Sequence, residues 1–212
     1  MIRSIFSLAL VLVFTSTALA IGPEVGFGVH ANFTSSNFPG PSVGGGTSQL
    51  SNAYGVGWGG GLHMDVDLMV ISFRLSGDYI HYGIDENKFR DGFRPLFGNA
   101  VSQMSINGGG LGIYAATVNG KMPVLPLPII SPYLTGGLGL AWLSRDQMTT
   151  SISGVQGTTI PSNTQSARTT VDLGLGVDVK IGIDLFLEVK YAWIFTEGGT
   201  STYVPVCVGV TF

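Results

Sequence analysis

Tyr203-Val204-Pro205-Val206-Cys207-Val208-Gly209-Val210-Thr211-Phe212 alternates without a break. Side chains on a strand repeat every two residues. Val204, Val206, Val208, Val210 and Phe212 therefore share one face, and Pro205, Cys207, Gly209 and Thr211 the other. Chain ends are ordinarily frayed and polar. This one reads as a finished membrane-type strand carrying a terminal aromatic residue.

The other end of the chain agrees. Arg3 is a short basic region, Ile5 to Phe14 is almost wholly apolar, and Thr15-Ser16-Thr17-Ala18-Leu19-Ala20 supplies small residues. That layout predicts a signal peptide over residues 1–20, cleaved after Ala20. The apolar run falls short of the roughly 20 residues that a spanning helix needs. No Cys follows the cleavage site, which argues against a lipid-anchored start.

Residues 21–212 are then one domain by length. Charged residues make up 11% of the chain and Gly accounts for 32 of 212 positions. The first figure is well under the usual quarter and the second about twice average usage. The net charge is −3, one unit more negative once Arg3 is lost, so there is no basic footprint for nucleic acid. No stretch after Ala20 is long and apolar enough for a membrane helix. An exported, apolar chain without such a helix points to a β-barrel, which spreads its apolar residues one in two along many strands. Cys207 is the single cysteine and has no partner for an internal disulfide; a lone thiol of this kind is expected to be buried and inert.

Segments of about ten alternating residues separated by turn signals recur along the chain. The first is Glu24–Phe33, with Val25, Phe27, Val29, Ala31 and Phe33 on one face. The second, Ala53–Met64, puts Tyr54, Val56, Trp58, Leu62 and Met64 opposite glycines and His63, and Asp65-Val66-Asp67 reads as a tight turn. The third, Leu68–Tyr82, turns Met69, Ile71, Phe73, Leu75 and Tyr79 outward and Ser72, Arg74, Ser76 and Asp78 inward. The fourth, Gln103–Val118, changes parity across Gly108-Gly109-Gly110, which a glycine bulge would absorb. Asn119-Gly120 is a turn signal, and the prolines of Lys121–Pro132 argue against an interior strand there. The fifth to eighth strands are Tyr133–Leu143, Thr170–Lys180, Leu185–Phe195 and Tyr203–Phe212. Long loops are expected at 34–52, 83–102 and 144–167.

The fold class is therefore all-β: an eight-stranded antiparallel transmembrane barrel, up-and-down, with short turns on one side and long loops on the other. The charges check this independently. Glu24, Arg74, Asp78, Asp172, Asp178, Lys180, Glu188 and Lys190 all lie on the face rich in Gly, Ser and Thr. A Lys or Arg at the lipid midplane costs about 2–4 kcal/mol. A soluble sandwich also alternates, but its polar face is its solvated surface. Here the polar face is mostly Gly with few charges of mixed sign, which suits a narrow lumen. Aromatic residues near strand ends, Phe33, Tyr54, Tyr79, Trp142, Trp193, Phe195 and Phe212, fit interfacial girdles.

The chain resembles the small eight-stranded outer-membrane barrels of the OmpA/OmpX-like family. Ser131-Pro132-Tyr133-Leu134-Thr135-Gly136-Gly137-Leu138-Gly139-Leu140 is similar to the family's Pro-Tyr-x-x-x-Gly-x-Gly segment. Glu188-Val189-Lys190-Tyr191 is similar to its Glu-x-Arg-Tyr, with Lys190 in place of the commoner Arg. Gly209-Val210-Thr211-Phe212 looks like its C-terminal insertion signal. The resemblance implies outer-membrane lipid as the surroundings. It also implies that Gly209, Val210 and Phe212 are read by the barrel assembly machinery during insertion. No peptidoglycan-binding domain is expected after Phe212.

Candidate chemistry is sparse. Gly110-x-Gly112-x-x-Ala115 belongs to a strand with no helix signal after it, so a dinucleotide site is not expected. Asp65 and Asp67 read as turn formers, and His30, His63 and His81 lack a metal-ligand pattern. No catalytic, cofactor or metal residues are assigned. The most definite polar feature is a set of inward charges: Arg74 and Asp78 on strand three, and Asp172, Asp178, Glu188 and Lys190 on strands six and seven. Eight strands leave an interior just wide enough for side chains. These six are expected to form a buried ion-pair network closing the lumen, with a hydrated gap as the alternative. The expected role is structural or interactive, with an unnamed partner at the three long loops. The alternatives are a small pore or a lipid-A-modifying enzyme. Enzymes of that kind use a Ser/His pair, and here Ser76 and His81 have opposite parity and cannot meet on one face.

Overall fold

The computed structural model describes residues 23–37, 53–68, 71–125, 127, 129–152, 155–164, 166–196 and 199–212. The expected signal peptide, most of the 34–52 loop and Met69 lie outside the described residues. The elements run β1 Glu24–Asn37, β2 Tyr54–Leu68, β3 Ile71–Ile84, α1 Glu86–Phe97, a 3-10 turn Gly98–Gln103, β4 Met104–Gly108, β5 Leu111–Pro123 and β6 Ile130–Arg145. They continue with β7 Met148–Ile152, β8 Val155–Ile160, β9 Asn163–Thr164, β10 Arg168–Lys180, β11 Asp184–Thr196 and β12 Gly199–Thr211.

Eight of these strands form a closed antiparallel barrel. Its order is β1, β2, β3, β5, β6, β10, β11 and β12, each paired with the next. The C-terminal strand closes it, running from Gly28 opposite Thr211 to Asn37 opposite Thr202. The last hydrogen bonds of that seam join Phe27 and Phe212 in both directions. Closure leaves no unpaired sheet edge, which is the condition for strands to cross a bilayer. The alternating valines of β12 and Phe212 after it thus lie on the outer wall beside Phe27 and Val29, while Tyr203 and Cys207 are buried inside. The wall exposes large apolar side chains on every barrel strand, among them Trp58, Leu75, Tyr114, Leu138, Leu175, Val189 and Val208. Such a continuous apolar exterior is stable only against lipid.

Several local expectations change. Gln103–Val118 is not one bulged strand. Gly108 and Gly109 have φ of 78° and 80°, a left-handed geometry that glycine adopts without strain. There the chain passes from the small sheet β4-β7-β8 into the barrel strand β5. Asn119-Gly120 does not turn. Both residues sit mid-strand, with Asn119 between Arg74 and Gly137, because flanking ladders on both sides outweigh a local turn preference. Lys121 to Pro123 extend β5, and β6 starts at Ile130. Pro123 is the last residue of β5 and Pro132 the third of β6, near strand ends, where a missing N–H is tolerated. Asp65-Val66-Asp67 also stays in β2, whose pairing with β3 continues to Leu68 opposite Ile71. Tyr54 points inward, because the β2–β3 register shifts between Tyr54 and Gly57.

The segments read as loops at 83–102 and 144–167 are folded. Asp85 caps α1 by accepting hydrogen bonds from the N–H groups of Asn87 and Lys88 at 3.1 and 3.2 Å. Gly98, at φ 57°, ends the helix. Phe89, Val101, Met104, Ile106 and Met148 make a separate apolar core, and Ile84 packs against both it and the barrel interior. This cap stands at the barrel end opposite Glu24 and Phe212.

Candidate functional site

Inward side chains divide the lumen into two halves. Toward the cap it is apolar: Tyr54, Ile80, Tyr82, Leu111, Ile113, Leu143, Ile194 and Tyr203 pack together, all under a tenth exposed. Toward the termini it is polar, and the paired glycines of the wall make room for long side chains. At Gly176, for example, a Cβ would run into the Tyr133 ring.

The polar half is built from ion pairs that cross between strands. Arg74 on β3 grips Asp65 on β2 with two bonds, Nε to Oδ1 and Nη2 to Oδ2, each 2.7 Å. Its guanidinium lies 3.9 Å from the centre of the Phe186 ring, the geometry of a cation–π contact. Lys121 Nζ sits between Asp65 at 3.6 Å and Asp178 at 3.1 Å. Lys190 Nζ is 2.9 Å from Glu188 Oε1, and Tyr133 donates its hydroxyl to Glu188 Oε2 at 2.9 Å. Glu188 is 1% exposed. Burial of this degree demands paired charge, since an isolated buried ion is costly.

A second group is a chain of hydrogen bonds. Asn119 donates to Asp172. The Thr117 hydroxyl lies 2.9 Å from Asn119 Oδ1 and 2.8 Å from Ser76 Oγ, and Ser76 donates to Asp78 at 3.0 Å. Asp78 accepts from Asn32 at 2.8 Å and pairs with His30 Nε2 at 2.6 Å. His30 Nδ1 and His63 Nδ1 are 3.2 Å apart, and His63 Nε2 is 2.8 Å from the Thr211 hydroxyl. For two rings that each carry one proton, a single assignment satisfies the imidazole contacts. His30 donates from Nε2 to the carboxylate, so its Nδ1 must accept. His63 then donates from Nδ1, and its Nε2 accepts from Thr211. The chain links β10, β5, β3, β1, β2 and β12 in one cross-section.

Among the six charges expected to cluster, Lys190 and Glu188 meet directly. Arg74 and Asp78 share β3 but part company, Arg74 going to Asp65 and Asp78 to His30. Asp178 faces Lys121, and Asp172 faces Asn119. Asp65, Lys121, Asn119, His30 and His63 belong to the network as well, beyond the six that sequence reasoning finds. Parity along their strands carries the signal, but Asp65 and Lys121 stand beside turn signals that mask it. Ser76 is bonded to Asp78 and Thr117, while His81 lies on the outer wall 6.3 Å from the Trp58 ring. They form no nucleophile–base pair. Among the described residues no group of three or more His, Cys, Asp or Glu side chains is placed to hold a metal ion.

The model of the outer membrane protein beta-barrel domain family matches residues 6–209. Among solved structures the chain is similar to neisserial surface protein A, with a TM-score of 0.55, 13% identity, and coverage of 90% of this chain and 97% of that one. A major outer membrane protein of Thermus thermophilus gives 0.50 and 13%, covering 89% and 99%. At such identities the likeness concerns the fold. No curated protein matches the sequence.

Proposed function

The chain belongs to the outer membrane protein beta-barrel domain family and resides in the cell outer membrane; from that premise we propose that it is a closed barrel whose work is done by its extracellular cap. One observation carries the reading. The segments after β3 and β6 form a unit with its own apolar core around Phe89 and Met148, both fully buried. A connection needed only to join strands has no use for such a core. Short periplasmic turns and longer extracellular loops are the rule for these barrels, which puts the cap outside the cell.

The lumen supports a non-conducting role. The Tyr54–Tyr82–Ile194 packing fills the outer half, and the pairs at Arg74, Lys121 and Lys190 fill the inner half. The six charges Arg74, Asp78, Asp172, Asp178, Glu188 and Lys190, with Asp65 and Lys121 added, act in this proposal as a structural network and not as a catalytic site. The protein is read as non-enzymatic: Ser76 has no histidine base, its hydroxyl being committed to a carboxylate. Residues 1–20 are proposed as a cleaved signal peptide. Gly209, Val210 and Phe212 are proposed as the signal read by the barrel assembly machinery, since they end the strand that closes the barrel. The cap's partner is a surface or ligand met outside the cell.

The test replaces 86–108 and 147–164 with short Gly/Ser links in the full chain. Retained heat-modifiable mobility on gels together with loss of adhesion to host or abiotic surfaces would support the reading. Undiminished adhesion by the capless barrel would refute it.

A further inference from the structure

The turn between β5 and β6 is apolar where a periplasmic turn meets water and headgroups. No charged residue occurs between Lys121 and Arg145. Val124, Leu125, Leu127 and Ile129 are each 55–58% exposed. They stand beside the turn after β10, where Ile181 and Ile183 are also exposed. The two turns are joined: Lys180 N–H donates to the Ile129 carbonyl at 2.8 Å. Elsewhere on this rim Glu24 begins β1, and Asp67 lies at the β2–β3 end beside the exposed Leu68 and Ile71.

Two further observations identify what covers the patch. The first is continuity with the lipid-facing wall. Outward apolar positions on β6 run unbroken from Trp142 to Ile130, and the turn extends them. With a rise of about 3.3 Å per residue and a tilt of about 40°, that strip is about 30 Å tall. The apolar strip of β1, Val25 to Phe33, is about 20 Å by the same measure. A bilayer band of about 25 Å is thus overfilled along β6, so the turn that extends this strip lies at or beyond the edge of the hydrocarbon. The second is the backbone. Val124 N–H donates to the Pro132 carbonyl at 2.9 Å, Leu127 to Leu125 at 3.0 Å, and Ile181 to Ile183 at 3.1 Å. A turn that satisfies these groups itself can leave water without stranding them.

We propose that Val124, Leu125, Leu127 and Ile129, with Ile181 and Ile183, are an anchor buried at the headgroup–acyl boundary of the periplasmic leaflet. Phospholipid is its occupant. Lys180 and Asp184, 3.7 Å apart and half exposed, flank the second turn at headgroup level.

The test uses the full chain with Cys207→Ser, carrying an environment-sensitive fluorophore at Leu125→Cys, at Leu127→Cys, or at the charged position Asp67→Cys on another strand end of the same rim. Each is reconstituted in vesicles of phosphatidylethanolamine and phosphatidylglycerol, without other protein. Blue-shifted emission at 125 and 127, quenched severalfold more by lipids spin-labelled near the headgroup than by aqueous iodide, is expected, with the reverse at 67. Iodide quenching at 125 and 127 equal to that at 67, with no lipid quenching at 125 or 127, would overturn the proposal and leave the patch to an aqueous partner. Heat-modifiable mobility of each labelled variant confirms that the barrel measured is folded.

Discussion

Replacing Arg74 by Met strips Asp65 of its bidentate partner and leaves Lys121, 3.6 Å away, as its nearest cation. Two charge-assisted bonds of 2.7 Å are lost, each contributing about 1.5–3 kcal/mol. The Phe186 ring loses its cation as well, a further contribution of about 1 kcal/mol. Some of this returns, because Lys121 can move toward Asp65 and Met fills much of the vacated volume. The net cost should be about 3–5 kcal/mol, the range for breaking a buried pair by removing one partner. Asp65→Leu alone should cost a similar amount, by leaving the guanidinium buried against an aromatic ring. The double variant should recover most of the loss, because no ion is then stranded and an apolar pair fills the space. The assay is urea unfolding in vesicles, read by heat-modifiable mobility and by tryptophan emission. If the single variants unfold at the wild-type midpoint, the interior is wet enough to solvate Asp65 and the lumen is not closed. If the double variant is as weak as the sum of the singles, the pair itself is not what the singles lose.

Glycine positions give a sharper contrast. Gly176→Ala places a methyl against the Tyr133 ring that holds Glu188, so it should lower stability by about 1–3 kcal/mol; Gly77→Ala, whose Cβ meets nothing within 4 Å on the lipid side, should leave the unfolding midpoint unchanged. Phe89→Ala removes the fully buried anchor of the cap and should cost that unit about 3–5 kcal/mol. Limited proteolysis should then cut near 86–108 while the barrel band on gels stays put; a protease-resistant cap would count against an independent core. Nitrogen-15 NMR of labelled histidines should find the proton of His30 on Nε2 and that of His63 on Nδ1, and the same tautomer at both would break the proposed hydrogen-bond order.

The barrel is legible in the sequence because its signal is parity, and parity survives local noise. Val171 to Val179 and Leu185 to Phe195 alternate so cleanly that their faces need no other information. The pairing of β12 with β1 follows, since an even set of up-and-down strands must close on itself. What stays hidden depends on contacts between distant residues. Lys121 lies among prolines in sequence, and only the third dimension brings Asp178 within 3.1 Å of it. Asp65 reads as a turn residue until Arg74 faces it across the β2–β3 ladder. Gly108-Gly109-Gly110 fits a bulge equally well as a passage between two sheets, because the sequence carries the flexibility and not the destination. Helix α1 has its signals: Asp85 as cap, Glu86 in the first turn, Gly98 as stop. Pro95 in its last turn argues the other way.

Conductance across a planar bilayer tests the closed barrel most directly. Purified full-length protein, inserted and verified as folded, should give no resolved current steps in molar salt, and removing the cap should not create them, because Tyr82, Ile113 and Ile194 still fill the outer lumen. Reproducible steps from the wild-type barrel, abolished by Ile113→Trp, would contradict the account and make the protein a pore.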